Sequence, residues 1–151
     1  MRESMPVRNQ PGFEMKSIEE KKQELKKRLK EYALRIIRLY EMLPKTGAAQ
    51  VITHQLLRSG TSPGAHYREA CRAKSDADFI SKVEGALQEL DESDYWLELL
   101  VDGGYETETK LKSLRDETNE LISIFVTIVT KTKARKKRGM RDEEGGMRDE
   151  G

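Results

Sequence analysis

Apolar residues in this chain return at steps of three and four in four separate stretches, and this rhythm limits the fold more than any other feature. In the first, Leu25, Leu29, Tyr32, Ile36, Leu39 and Leu43 follow at alternating steps, the spacing that lines one face of an α-helix. Val51, Ile52, Leu56 and Tyr67 mark a second stretch, from about Gly47 to Lys74. The third carries Ile80, Val83, Leu87, Leu90, Leu97 and Val101, and the fourth Leu111, Leu114, Thr118, Leu121, Phe125 and Ile128. Ile122, Val126 and Val129 give the fourth a second apolar flank, which calls for a position deep in a bundle or contact with another subunit. The second of these is favoured.

Punctuation agrees with the rhythm. Ser17-Ile-Glu-Glu20 is a capping-box pattern whose hydroxyl and carboxylate satisfy free amides of a first turn. Pro44 stops the first helix, and Asp76 and Asp78 suit the positive end of the third. Gly103-Gly104 ends that helix, and the fourth starts near Thr107. Four helices of similar length joined by short turns predict an all-α, antiparallel up-down-up-down four-helix bundle over residues 17–134.

One segment resists this reading. Gln55-Leu-Leu-Arg-Ser-Gly-Thr-Ser-Pro-Gly-Ala-His-Tyr-Arg-Glu-Ala70 places small residues, charges and Pro63 where a helix interior should be. Gly60, Thr61, Ser62 and Gly64 are poor or indifferent helix formers, and a proline costs about 3 kcal/mol there. Small residues do let a neighbouring backbone approach closely. Two outcomes are open at Pro63: a kink within one second helix, or a break at Ser62 that gives five helices.

The ends carry too few apolar residues to offset the entropy of ordering them. Residues 1–16 read as a flexible polar segment, and 135–151 as a disordered charged tail containing a near copy, Gly139-Met-Arg-Asp-Glu-Glu-Gly145 followed by Gly146-Met-Arg-Asp-Glu. No apolar run spans a bilayer and no signal peptide is recognisable. Cys71 is the one cysteine, so no disulfide forms within the chain. A cytoplasmic protein without a membrane segment is expected.

The net charge of +1 conceals a strongly uneven distribution. Residues 1–45 hold twelve Lys/Arg against seven Asp/Glu, 75–109 hold one against eleven, and 110–138 hold nine against three. The acidic third helix is expected to pair with its neighbours, including Arg58, Arg68, Glu69, Arg72 and Lys74 on the second. Lys27, Arg28, Arg35 and Arg38 on the first helix and Lys131, Lys133 and Arg135 on the fourth are candidate phosphate contacts. No aromatic is interleaved with the charges from Lys131 to Arg138, so such contacts are expected to be tolerant of sequence.

Catalytic chemistry finds little footing. A carboxylate-bridged di-metal bundle needs Glu-x-x-His on two helices, yet Val51 precedes His54 by three and Pro63 precedes His66 by three. His54, His66 and Cys71 follow no familiar metal-ligand spacing. Ser-Gly-Thr-Ser-Pro-Gly lacks the Lys-Ser/Thr ending of a phosphate-binding loop. No catalytic residue, metal site or cofactor is expected.

Leu43-Pro-Lys45, Gln55-Leu-Leu-Arg-Ser-Gly-Thr-Ser62 with Gly64-Ala65 and Glu69-Ala70, Asp78-Phe79-Ile80 with Lys82, and Glu92-Ser-Asp-Tyr-Trp-Leu-Glu-Leu-Leu100 occur in that order. Together they resemble the bacterial four helix bundle proteins, also called 23S rRNA intervening-sequence proteins, over roughly residues 25–130. The resemblance implies a ring-like homopentamer without enzymatic activity. It marks Arg58, Ser59, Thr61, Ser62, Gly64, Ala65, Glu69 and Trp96 as structural motif residues. Many members of that family are encoded within sequences that interrupt 23S rRNA genes, and related accessory proteins of diversity-generating retroelements engage nucleic acid and a reverse transcriptase. Pro63 stands where the family usually has an aliphatic residue, and His66 where it usually has asparagine. The expectation is a non-enzymatic homo-oligomer that binds RNA or DNA through basic surfaces. The alternative is a scaffold that binds a protein partner and no nucleic acid.

Overall fold

The computed structural model describes residues 15–150, and its first helix starts where the capping pattern predicts. Ser17 Oγ accepts the Glu20 amide at 3.1 Å and opens α1 (Ile18–Met42). Leu43 and Pro44 end α1; Gly47, with φ of +63°, leads into α2 (Gly47–Cys71). Ser75 Oγ caps α3 (Asp76–Asp102) by accepting the Asp78 amide at 3.1 Å. Gly104, with φ of +79°, turns the chain after α3, a conformation that costs glycine little. α4 (Glu108–Glu150) completes the structure. Four helices and no strand occur among the described residues.

Each helix packs antiparallel on the next. α2 meets α3 most extensively, α1 packs on α2 and α4 on α3, while α1 and α4 touch sparingly. The core is built from the anticipated stripes: Leu29, Tyr32 and Ile36 of α1, Leu56 and Tyr67 of α2, Leu90 and Leu97 of α3, and Leu121 and Phe125 of α4 are all buried. The bundle is the up-down-up-down arrangement read from the sequence.

The small residues of α2 find their explanation against α1. A Cβ placed on Gly60 would lie 2.7 Å from Ile36 Cγ1, and one on Gly64 would lie 3.6 Å from Leu29 Cβ. Bulky side chains of α1 therefore fill the space that α2 leaves empty. These contacts lie on both sides of Pro63, which is itself buried. The helix runs through the proline unbroken, so the five-helix alternative is not realised. Tertiary packing outweighs the local cost of the missing amide.

Each helix also places a hydroxyl in the core. Tyr32 Oη and Thr118 Oγ1 lie 2.7 Å apart and link α1 to α4; Ser59 Oγ and Ser93 Oγ lie 2.8 Å apart and link α2 to α3. Thr118 and Ser93 donate back to the carbonyls of Leu114 and Glu89 at 2.8 and 2.9 Å. Buried hydroxyls with partners avoid the desolvation cost of an orphaned polar group. Burial pushes the Tyr32 phenol up to about 12, against the opposing effect of the Thr118 and Ser93 hydrogen bonds.

At the C-terminal end the helix runs past the boundary expected from the sequence. A disordered tail was expected from residue 135, yet α4 continues as helix to Glu150. Helix propagation adds one hydrogen bond per residue once a turn exists, and Lys, Arg, Ala, Met and Glu are good helix formers. Arg135 also reaches Asp76 at 3.1 Å and ties this part of α4 to the start of α3. Packing stops earlier: Thr132 is the last buried residue of α4 among those described. Of the segment expected to be flexible, residues 1–14 lie outside the described residues, and Met15 and Lys16 precede the first helix.

Candidate functional site

The antiparallel order brings the start of α1, the end of α2, the start of α3 and the later part of α4 to one end of the bundle. There α1 and α2 form an open groove of about 570 Å³. Six cations line it: Lys22, Lys26, Lys27 and Lys30 from α1, Arg68 from α2, and Arg72 at the C-terminal cap of α2. Among the described residues the one carboxylate in its wall is Glu19. Helical periodicity explains the α1 set, because positions 22, 26 and 30 repeat every four residues beside the buried Leu25/Leu29 stripe. Among the described residues none of the six forms an ion pair. Like charges held together without counter-charges make a surface that attracts anions.

The seven cations marked from the sequence separate into different environments. Lys27 lines the groove. Arg28 instead faces α4: its Nε and Nη2 donate to Glu117 at 2.7 and 2.8 Å, and Nη2 also lies 2.7 Å from Glu120. Those carboxylates, Glu117 foremost, hold the guanidinium still more firmly protonated. Arg35 donates to Ser113 Oγ at 3.0 Å. Lys133 lies 3.6 Å from Glu84, and Arg135 is paired with Asp76. Arg38 and Lys131 are exposed. The structure thus collects Lys27 with five other cations and leaves three of the original seven in ion pairs.

Arg68 and Arg72 were expected to pair with the acidic α3, and the geometry reverses that expectation. Both are exposed and turn toward α1. On the same helix Arg58 does meet α3, donating to Glu89 at 3.0 Å and contacting Glu92, while also reaching Gln55. Trp96 Nε1 donates to the same Glu92 at 3.1 Å. Glu69 faces Lys82 at 3.4 Å. At 100° per residue Arg68 is turned about 80° from Arg58 around α2, and Arg72 lies just past the helix at its C-terminal cap.

The other motif residues serve the helix and its packing. Thr61 Oγ1 donates to the Leu57 carbonyl at 2.7 Å and Ser62 Oγ to the Arg58 carbonyl at 2.6 Å. Ser59 is buried against Ser93, Gly64 lies under Leu29, and Ala65 is exposed. His54 stacks edge-on against Tyr40 with ring centroids 5.4 Å apart, and His66 packs over Gly85. Among the described residues no three His, Cys, Asp or Glu side chains converge on a point where an ion would sit. No helix described is long and apolar enough to cross a membrane.

Comparison with known proteins agrees with this architecture. A family model described as 23S rRNA-intervening sequence protein matches residues 21–127. The chain is also similar to a crystal structure of a protein of unknown function from the S23 ribosomal protein family of Bacteroides thetaiotaomicron. The two are 41% identical with a TM-score of 0.65, over 69% of this chain and 96% of that one. A search of curated proteins returns no match. The matched span covers all of α2 and α3, nearly all of α1 and about half of α4, so this chain belongs to the 23S rRNA-intervening sequence protein family.

Proposed function

We propose that this protein is a non-enzymatic, cytoplasmic homo-oligomer that binds RNA or DNA through phosphate contacts in the groove between α1 and α2. The observation that carries the reading is the groove itself, with six cations that form no ion pair among the described residues against one carboxylate of those residues. Lysines and arginines in that arrangement neutralise a phosphate backbone and release its condensed counterions, whatever the base sequence. Lys27 is retained from the sequence-based set of contacts. Lys22, Lys26, Lys30, Arg68 and Arg72 take the place of Arg28, Lys133 and Arg135, whose charges carboxylates already engage.

The assembly we propose is a homopentamer, as the family resemblance implies. Apolar side chains left uncovered on the outside of the single chain support association: Val126 of α4 is 45% exposed, and Tyr95 of α3 is 53% exposed. The second apolar flank of α4 thus turns outward at Val126. The same uncovered residues favour the alternative reading, a scaffold for a protein partner. Fluorescence anisotropy with structured RNA and with single-stranded DNA, repeated over a salt series, separates the two. Binding that falls steeply with salt is expected; no association with either nucleic acid even at low salt sinks the proposal and leaves the scaffold.

A further inference from the structure

A second cavity adjoins the cationic groove. The two share Lys22 and Cys71 in their walls, and beyond those residues lies a space of about 690 Å³ at the same end of the bundle. All four helices contribute apolar surface to it: Leu25 of α1, Tyr67 of α2, Phe79 of α3, and Ile124 and Ile128 of α4. Its origin is the α1–α4 seam. Arg28, Tyr32 and Arg35 fasten α1 to α4 by polar bonds, and toward the start of α1 the seam parts over the cavity. Phe79 and Ile128 remain half-buried there, so apolar surface is accessible within the cavity beside the groove. The two carboxylates in the wall are already engaged, Glu24 by Lys16 at 2.5 Å and Asp76 by Arg135 at 3.1 Å.

Cations beside an apolar cavity with aromatic side chains match the two halves of a nucleotide. The phosphate seeks the cations, and the base seeks a flat, dry surface on which to stack. A duplex presents the first half and keeps the second within its own stack. A single strand or a loop is able to turn a base sideways. We propose that the groove and cavity form one composite site for single-stranded or looped nucleic acid: Lys22, Lys26 and Arg68 hold the backbone, and one unstacked base enters between Phe79 and Ile128. This assignment rests on the phosphate-binding reading of the groove and adds which form of nucleic acid it selects.

The full-length protein is titrated with four probes: a short single-stranded oligothymidylate, an abasic oligonucleotide of the same length, a blunt duplex, and inorganic polyphosphate. The single strand is expected to bind about tenfold more tightly than its abasic counterpart, as one base stack contributes. Phe79→Ala and Ile128→Gln are each expected to remove that preference while leaving polyphosphate affinity and native mass unchanged. Equal affinity for all four probes overturns the base cavity and leaves the phosphate reading intact. No binding to any of them at low salt overturns both. A changed native mass in the two variants, with the preference for the base-bearing strand retained, makes the cavity a contact between copies and overturns the proposal.

Discussion

The α1–α2 pair and the α3–α4 pair use charge in opposite ways. α4 carries the densest run of cations in the sequence, Lys131 to Arg138, yet α3 is acidic and lies alongside, and Lys133 and Arg135 are met by Glu84 and Asp76. α1 and α2 are both basic near the same end, and among the described residues no acidic side chain lines the groove between them apart from Glu19. The lesson is that the number of cations on a helix says little about the positive field it offers; the neighbour's sign decides it. Packing divides the same way. α1 and α2 approach through Gly60 and Gly64, whereas α3 and α4 meet through larger side chains such as Leu90, Leu97, Leu121 and Phe125.

The largest expected effect tests the charge contrast. Reversing two groove charges, Lys26→Glu with Arg68→Glu, is expected to weaken nucleic-acid binding by about a hundredfold and to flatten its salt dependence. Lys133→Glu with Arg135→Glu, which changes net charge by the same amount, is expected to weaken it by less than tenfold. Equal losses in anisotropy titrations of the two double variants would erase the distinction between the pairs.

Next in size is the close approach of α1 to α2. Gly60→Ala forces Ile36 to shift, and overpacking of this kind costs about 1–3 kcal/mol. A urea unfolding midpoint unchanged by the substitution would show that the contact yields easily. Smaller is the link between the pairs through Tyr32. Tyr32→Phe removes the bond to Thr118 and is expected to cost about 1 kcal/mol at neutral pH. Its pH dependence has a definite sign. The folded phenol is pushed up to about 12 from an ordinary value near 10, so its contribution is fully present below pH 10 and is lost as pH rises through 12. Alkaline unfolding curves of the Phe variant should decline less over that window than those of the parent.

The smallest effect is expected within the acidic–basic pair. Arg135 and Asp76 are both substantially exposed, and such pairs contribute about 0–1 kcal/mol. Arg135→Ala should leave the melting temperature nearly unchanged. A marked loss would mean that this contact, and not helix propagation alone, maintains the later part of α4.

The helices, their caps and most of the core were legible because they depend on residues close in sequence. Ser17 and Ser75 each meet an amide three residues on, and Leu29 and Ile36 share a stripe by periodicity alone. The groove was only half legible. The lysines of α1 were visible as a charged face, but Arg68 and Arg72 looked like partners for α3 because that helix follows them in the chain. Which neighbour a side chain faces depends on the rotation of the whole helix, and that rotation is set by the contacts of Ser59, Gly60 and Gly64 with two other helices at once.

By itself the sequence determined that this chain makes four amphipathic helices in an antiparallel bundle, because hydrophobic period, capping and turn chemistry are local. Only the tertiary structure decided that α2 runs unbroken through Pro63, that Lys133 and Arg135 of α4 meet carboxylates of α3, and that a basic groove opens beside an apolar cavity. Each of these follows from packing, in which the energy of a residue is set by whatever the fold brings next to it.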